Sequence, residues 1–172
     1  MMKRIAAILL MAVMAFGAEL RVDEKASSIN FEATKMLFIG VDGNFSNFSG
    51  SIDVEGNTIK SINGVIKVLS IDTDDAKRDD HLLSSDFFNA VAFKEIVFKS
   101  TSIEGDTVVA DITIKNITKP VKFTMEQVAV SEKSVNIKLS AVVDRTEFDI
   151  DNNFMSMMIF DNIDVTSTLI AK

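Results

Sequence analysis

VNIKLSAVV, residues 135–143, sets Val135, Ile137, Leu139, Ala141 and Val143 on one parity and Asn136, Lys138, Ser140 and Val142 on the other. Side chains of an extended chain alternate between faces, so a period of two predicts a half-buried strand. The same pattern runs outward in both directions. Val108, Ala110, Ile112 and Ile114 alternate with Val109, Asp111, Thr113 and Lys115, and Val121, Phe123 and Met125 continue it. Phe93 to Ser100 turns Ile96 and Phe98 inward, and Ile163, Val165 and Leu169 lie on a last strand. Toward the N-terminus, Ile62, Ile66 and Val68 share a face, residues 44–54 carry Phe45, Phe48, Ile52 and Val54, and Ile29, Phe31 and Ala33 oppose Asn30, Glu32 and Thr34. Turn chemistry sits between these runs at Gly40–Gly43, Glu55-Gly56-Asn57, Glu104-Gly105-Asp106, Asn116–Pro120 and Ser131–Ser134. Gly64, in mid-strand, predicts a bulge or sharp bend. The sum is about eight antiparallel strands of roughly ten residues, each about 33 Å long. A continuous meander of this kind favours a closed barrel over a sandwich. Eight strands enclose a space wide enough for side chains or for one small ligand.

The alternation stops at SIDTDDAKRDDHLLSSDFFN, residues 70–89. Asp74 or Asp75 suits an N-cap and Ser84 or Ser85 a second one, which predicts two short helical turns. Leu82, Leu83, Phe87 and Phe88 turn inward, so that the insert stoppers one end of the barrel.

The 172 residues are 47% hydrophobic with one proline and no cysteine, enough for one domain that needs no disulfide or metal. Lys3-Arg4, the apolar run Ile5 to Phe16 and the small residues around Gly17-Ala18 have the layout of a secretory leader, residues 1–18, too short to span a membrane comfortably. The expectation is a mature domain over 19–172, exported to a periplasm and not inserted in the membrane. Losing Lys3 and Arg4 takes the formal charge from −7 to −9. An acidic domain is a poor partner for nucleic acid, which selects basic patches. The sequence leaves a homodimer open.

Catalytic chemistry is thin. His81 is the single histidine, and no nucleophile-elbow motif accompanies it. Zinc would have to rely on carboxylates around that one histidine. The plainer reading of Arg78, Asp79, Asp80 and His81 is a polar, salt-bridged cap on the insert. Met155, Met157 and Met158 offer soft thioethers that suit Cu(I), or simply fill an irregular apolar edge. Asp42-Gly43-Asn44-Phe45-Ser46 contains an Asn-x-Ser acceptor pattern at an expected turn, with chance occurrence as the plainer reading. No catalytic residue, metal or cofactor is assigned. The dry inward face fits a solid core and a cavity equally well.

Several segments together carry a resemblance. Ser70-Ile71-Asp72-Thr73, Arg78-Asp79-Asp80-His81-Leu82 and Ser85-Asp86-Phe87-Phe88 look like the core signature of the YceI-like family of exported polyisoprenoid-binding proteins. Ser28-Ile29-Asn30-Phe31, the G-x-F-x-x-F-x-G segment from Gly43 to Gly50, Ile96–Ser100, Asp111–Ile114, Thr118–Val121 and Asp144–Phe148 follow in the family's order. The chain departs from the family pattern near Thr34, where a histidine is frequent, at Lys94, where proline is, and at Asn116 and Asp149, where glycine is.

The resemblance implies an all-β, lipocalin-like barrel holding a long isoprenoid, of quinone or polyprenyl type, for transport, storage or sequestration, without catalysis. The tunnel would be lined by Ile29, Phe31, Phe45, Phe48, Ile66 and Val68, by Leu82, Phe87 and Phe88 of the insert, and by Phe98, Ile112, Ile114, Phe123, Ile137 and Leu139. Arg78, Asp79 and His81 would form a polar rim for a headgroup. The alternative is an accessory or stress-response barrel whose core is filled by its own side chains.

Overall fold

The computed structural model describes residues 17–35, 39–150 and 159–172. They form one curled antiparallel sheet of eleven strands: β1 (Ala18–Arg21), β2 (Ser28–Lys35), β3 (Ile39–Phe45), β4 (Phe48–Glu55), β5 (Thr58–Lys67), β6 (Ile71–Asp72), β7 (Glu95–Glu104), β8 (Thr107–Ile114), β9 (Ile117–Ser131), β10 (Ser134–Asp144) and β11 (Ile159–Ala171). Their order across the sheet is β1-β4-β5-β7-β8-β9-β10-β11-β2-β3-β6. One helix, α1 (Ala76–Leu83), interrupts them.

Residues 21–23 draw the sheet's two halves together. Val22 N donates to Gly50 O of β4 at 2.9 Å, while Arg21 N and Asp23 N donate to Lys172 O and Ile170 O beyond and within β11. A circuit of backbone bonds therefore closes at that end, through β4, β5, β7 to β11 and back by residues 21–23. β2, β3 and β6 form a wing beyond β11.

The strand count is eleven rather than eight, for three local reasons. β1 is too short to show a period. β6 is two residues long. The expected single strand 44–54 is two, because Phe45 and Phe48 are both buried and an odd spacing cannot keep both on one face of one strand. The chain breaks at Ser46-Asn47, and Gly40–Gly43, expected as a turn, is strand β3.

Turns shift in the same way. The β8–β9 hairpin turns on Lys115-Asn116, both left-handed (φ 51° and 63°), so Ile117 to Pro120 is strand and not turn. Asp149 is also left-handed (φ 57°). These conformations suit glycine, and asparagine and aspartate are the residues that replace it best. Gly64 makes no bulge: it pairs in register with Gly50 and with Phe98. The register shift in this hairpin lies at Asp53/Val54.

The insert holds one helix, not two. Asp75 caps α1 by accepting from Lys77 N and Arg78 N, and Ser84 ends the helix. Phe87 is buried, and Leu82, Leu83 and Phe88 pack against the core. In Arg145–Phe148, a stretch without apolar alternation, the chain makes a 3-10 turn that buries both Arg145 and Phe148.

Candidate functional site

The two ends of the barrel differ. At the end of the hairpins 56–57, 105–106 and 132–133, the interior is solid. Val54, Ile59, Val108, Met125, Val135 and Ile137 there are each at most 4% exposed, and none borders free space. At the opposite end, nearer α1 and the 3-10 turn, a cavity of about 240 Å³ opens. β2 contributes Ile29, Phe31 and Ala33, β3 Phe45, β4 Phe48, β5 Ile62 and Ile66, and the insert Leu82, Phe87 and Phe88. Phe98, Ile112, Ile114, Phe123 and Leu139 supply the far wall, and Ile163, Val165 and Leu169 of β11 complete it.

Thirteen of the fifteen residues expected to line the tunnel therefore border the cavity, and two do not. Val68 and Ile137 are buried at 1% and 0% exposure away from the free space. Parity tells which face a side chain takes, not how far along the barrel the core is filled. Phe148 and Ile150 also line the space. Their segment shows no alternation, so sequence periodicity misses them.

Aromatic rings shape the walls. Phe31 and Phe45 have centroids 5.6 Å apart, Phe45 meets Phe88 edge-on at 6.4 Å, and Phe98 meets Phe123 at 5.3 Å. A row of paired residues runs Gly50, Gly64, Phe98, Ile112 across four strands, and all four border the cavity. A Cβ at Gly64 would meet nothing nearer than Ser49 O at 3.4 Å, so this wall stands open for want of a side chain.

Five polar residues lie along the cavity, Asn30, Ser49, Asn63, Arg145 and Ser167, but its wall is almost wholly apolar, and three of them turn side-chain donors to protein acceptors. Arg145, 6% exposed, donates from Nη1 to Ile150 O at 2.6 Å, from Nε to Phe160 O at 3.3 Å and from Nη2 to Asp161 Oδ1 at 3.0 Å. Asn63 Nδ2 donates to Ser61 Oγ and Asn30 Nδ2 to Ser28 Oγ. The guanidinium of Arg145 is the buried charge that the inward list lacks, since it sits in the stretch that shows no period.

The expected rim is a self-contained network. Arg78 Nε donates to Thr73 Oγ1 at 2.8 Å, and its guanidinium also reaches Thr73 O and Asp75. Asp79 Oδ1 accepts from Thr73 N at 3.0 Å and from the Thr73 hydroxyl. The His81 ring stands against Phe87 at 4.9 Å. Arg78, Asp79 and His81 do not border the cavity. Thr73, buried at the centre of the network, was legible in the sequence only as part of the family signature and not as a member of the rim.

Outside the barrel, Asp164, Glu32 and Asp42 stand directly opposite one another on β11, β2 and β3. They line an open acidic cleft with Asp72 and Asp74. Among the described residues no group of three or more His, Cys, Asp or Glu has the arrangement of a metal site. Met155, Met157 and Met158 lie outside the described residues, and Asn44 lies in strand β3, paired with Asn30 and Asp72, rather than at a turn. No helix among the described residues is long and apolar enough to cross a membrane.

The YceI-like domain model matches residues 20–171. A UPF0312 protein of Shewanella sp. (strain MR-7) is 35% identical over 125 residues, which cover 67% of this chain and 65% of that protein. The chain thus spans just under two thirds of the length of that relative. A UPF0312 protein of Vibrio vulnificus is 33% identical over 135 residues, 72% of this chain and 71% of its own. In solved structures, a polyisoprenoid binding domain from Saccharophagus degradans superposes with a TM-score of 0.75 at 14% identity, covering 90% of this chain and 98% of that one. Burkholderia cenocepacia BcnA gives 0.74 at 21% identity, covering 88% and 99%. At these identities the likeness is one of fold.

Proposed function

The chain belongs to the YceI-like family, and from that premise we propose that it is a binding protein that holds the apolar part of an isoprenoid lipid inside its barrel. The observation that carries this reading is the cavity: about 240 Å³ of space walled by aromatic and aliphatic side chains, in a barrel whose other end is packed solid. Burying hydrocarbon contributes about 0.8 kcal/mol per CH₂, and a preformed apolar site needs little reorganisation to gain it. The structurally similar domain from Saccharophagus degradans is a polyisoprenoid binding domain, which makes an isoprenoid the first class to test. The exported, periplasmic setting proposed from the leader-like residues 1–18 is one where such a lipid would be met outside a bilayer. A quinone or polyprenyl ligand, and a role in transport, storage or sequestration, belong to the same proposal, and so does the absence of catalysis.

Native mass spectrometry of the chain purified from a membrane-containing bacterial host tests it. The expected spectrum shows an adduct whose organic extract contains an isoprenoid. A spectrum of bare chain only, unchanged after incubation with prenols, contradicts the reading.

A further inference from the structure

The solid end of the barrel sets a depth. Val54, Val108, Val135 and Ile137 fill the interior below the cavity at 0–1% exposure, so a chain lying in the cavity meets a floor at the hairpin end. An apolar cavity of about 150 Å³ takes up one benzene ring. By proportion, the 240 Å³ here receives about ten carbons, or two isoprene units. The direction of entry follows from the polar groups. The wall of the free space is almost wholly apolar even where Ser49 and Ser167 adjoin it. Arg145, Asn63 and Asn30 turn side-chain donors to protein acceptors, and a buried headgroup left without partners is strongly disfavoured.

We propose that the ligand enters tail-first, that only its last two or so isoprene units are held, and that its headgroup and any further chain stay outside the barrel. Selection is therefore for a branched apolar tail end, whatever head it carries. This inference rests on the isoprenoid reading above, and the test separates the two.

The test is displacement of a fluorescent apolar probe from the purified chain by C5, C10, C15 and C20 prenols. Each carbon moved from water into an apolar site multiplies affinity by about three to four. The expected result is a gain of about tenfold or more from C5 to C10, then less than about threefold for each further unit, because those carbons lie outside. Gains that stay above about tenfold per unit through C20 overturn the depth limit while leaving the isoprenoid reading intact. Failure of every prenol to displace the probe overturns the isoprenoid reading, and the depth limit with it.

Discussion

Gly64 and Gly50 are paired with each other, yet the space around them predicts opposite outcomes. A Cβ at Gly50 would lie 2.5 Å from Asn63 O and 3.3 Å from Val22 Cγ2, so Gly50→Ala must displace backbone. At Gly64 there is room, and a strand-interior glycine is itself weakening. Gly64→Leu should therefore fill free space and raise stability by about 0.5–2 kcal/mol, whereas Gly50→Ala should lower it; urea midpoints read both. Thr73 decides the integrity of the insert in the same local way. Its hydroxyl accepts from Arg78 Nε and donates to Asp79 Oδ1, and Thr73 is 4% exposed. Thr73→Val keeps the shape and leaves both partners short of a bond, at a cost of about 1–3 kcal/mol. An unchanged urea midpoint would remove Thr73 from the account of how the insert is held.

At the scale of elements, the β11–β2–β3 wing carries a conflict that a single change relieves. Glu32 stands between Asp164 and Asp42 in direct cross-strand register, where like charges oppose pairing. Glu32→Lys should stabilise the wing by about 0.2–1 kcal/mol per new pair at low salt, and the gain should shrink as salt is added. The seam between the N- and C-terminal segments makes a prediction about pH. A side-chain hydrogen bond from Lys172 holds the Asp23 carboxyl below its ordinary value of 3.8. A carboxyl with a lowered folded value stabilises at pH above its unfolded value, and that contribution fades as pH falls through the folded one. Stability should thus decline on acidification below about pH 4, and Asp23→Asn should decline less steeply. Alternation made most strands legible, since each buries one face, and the Phe45/Phe48 spacing already held the signal that splits β3 from β4. β1 and β6 were not legible because two to four residues are too few to show a period. The insert's N-cap was readable in Asp75, but Ser84 caps the end of the same helix, a distinction that composition alone does not make.

For the whole molecule, the sequence left two interiors open, a hollow barrel and one filled by its own side chains, and the structure contains both in series. The inward residues were legible from parity, which is why most of the expected lining borders the cavity. Their depth was not, because Ile137 and Leu139 share a face and only the fold's register puts Leu139 at the cavity and Ile137 in the solid end. Arg145 and Phe148 were hidden for a different reason: a 3-10 turn buries them by tertiary packing with no periodic trace. The proposed ligand, an isoprenoid tail, occupies the hollow end. Titration calorimetry of a C10 prenol into the wild-type chain and into Gly64→Leu tests it most directly, since the leucine is placed in that space and away from the outer surface. The expected result is binding to the wild type, loss of about tenfold or more in affinity in Gly64→Leu from carbons displaced by the new side chain, and a variant at least as stable to urea as its parent. Equal affinity in the two stably folded proteins would contradict it, placing the ligand elsewhere.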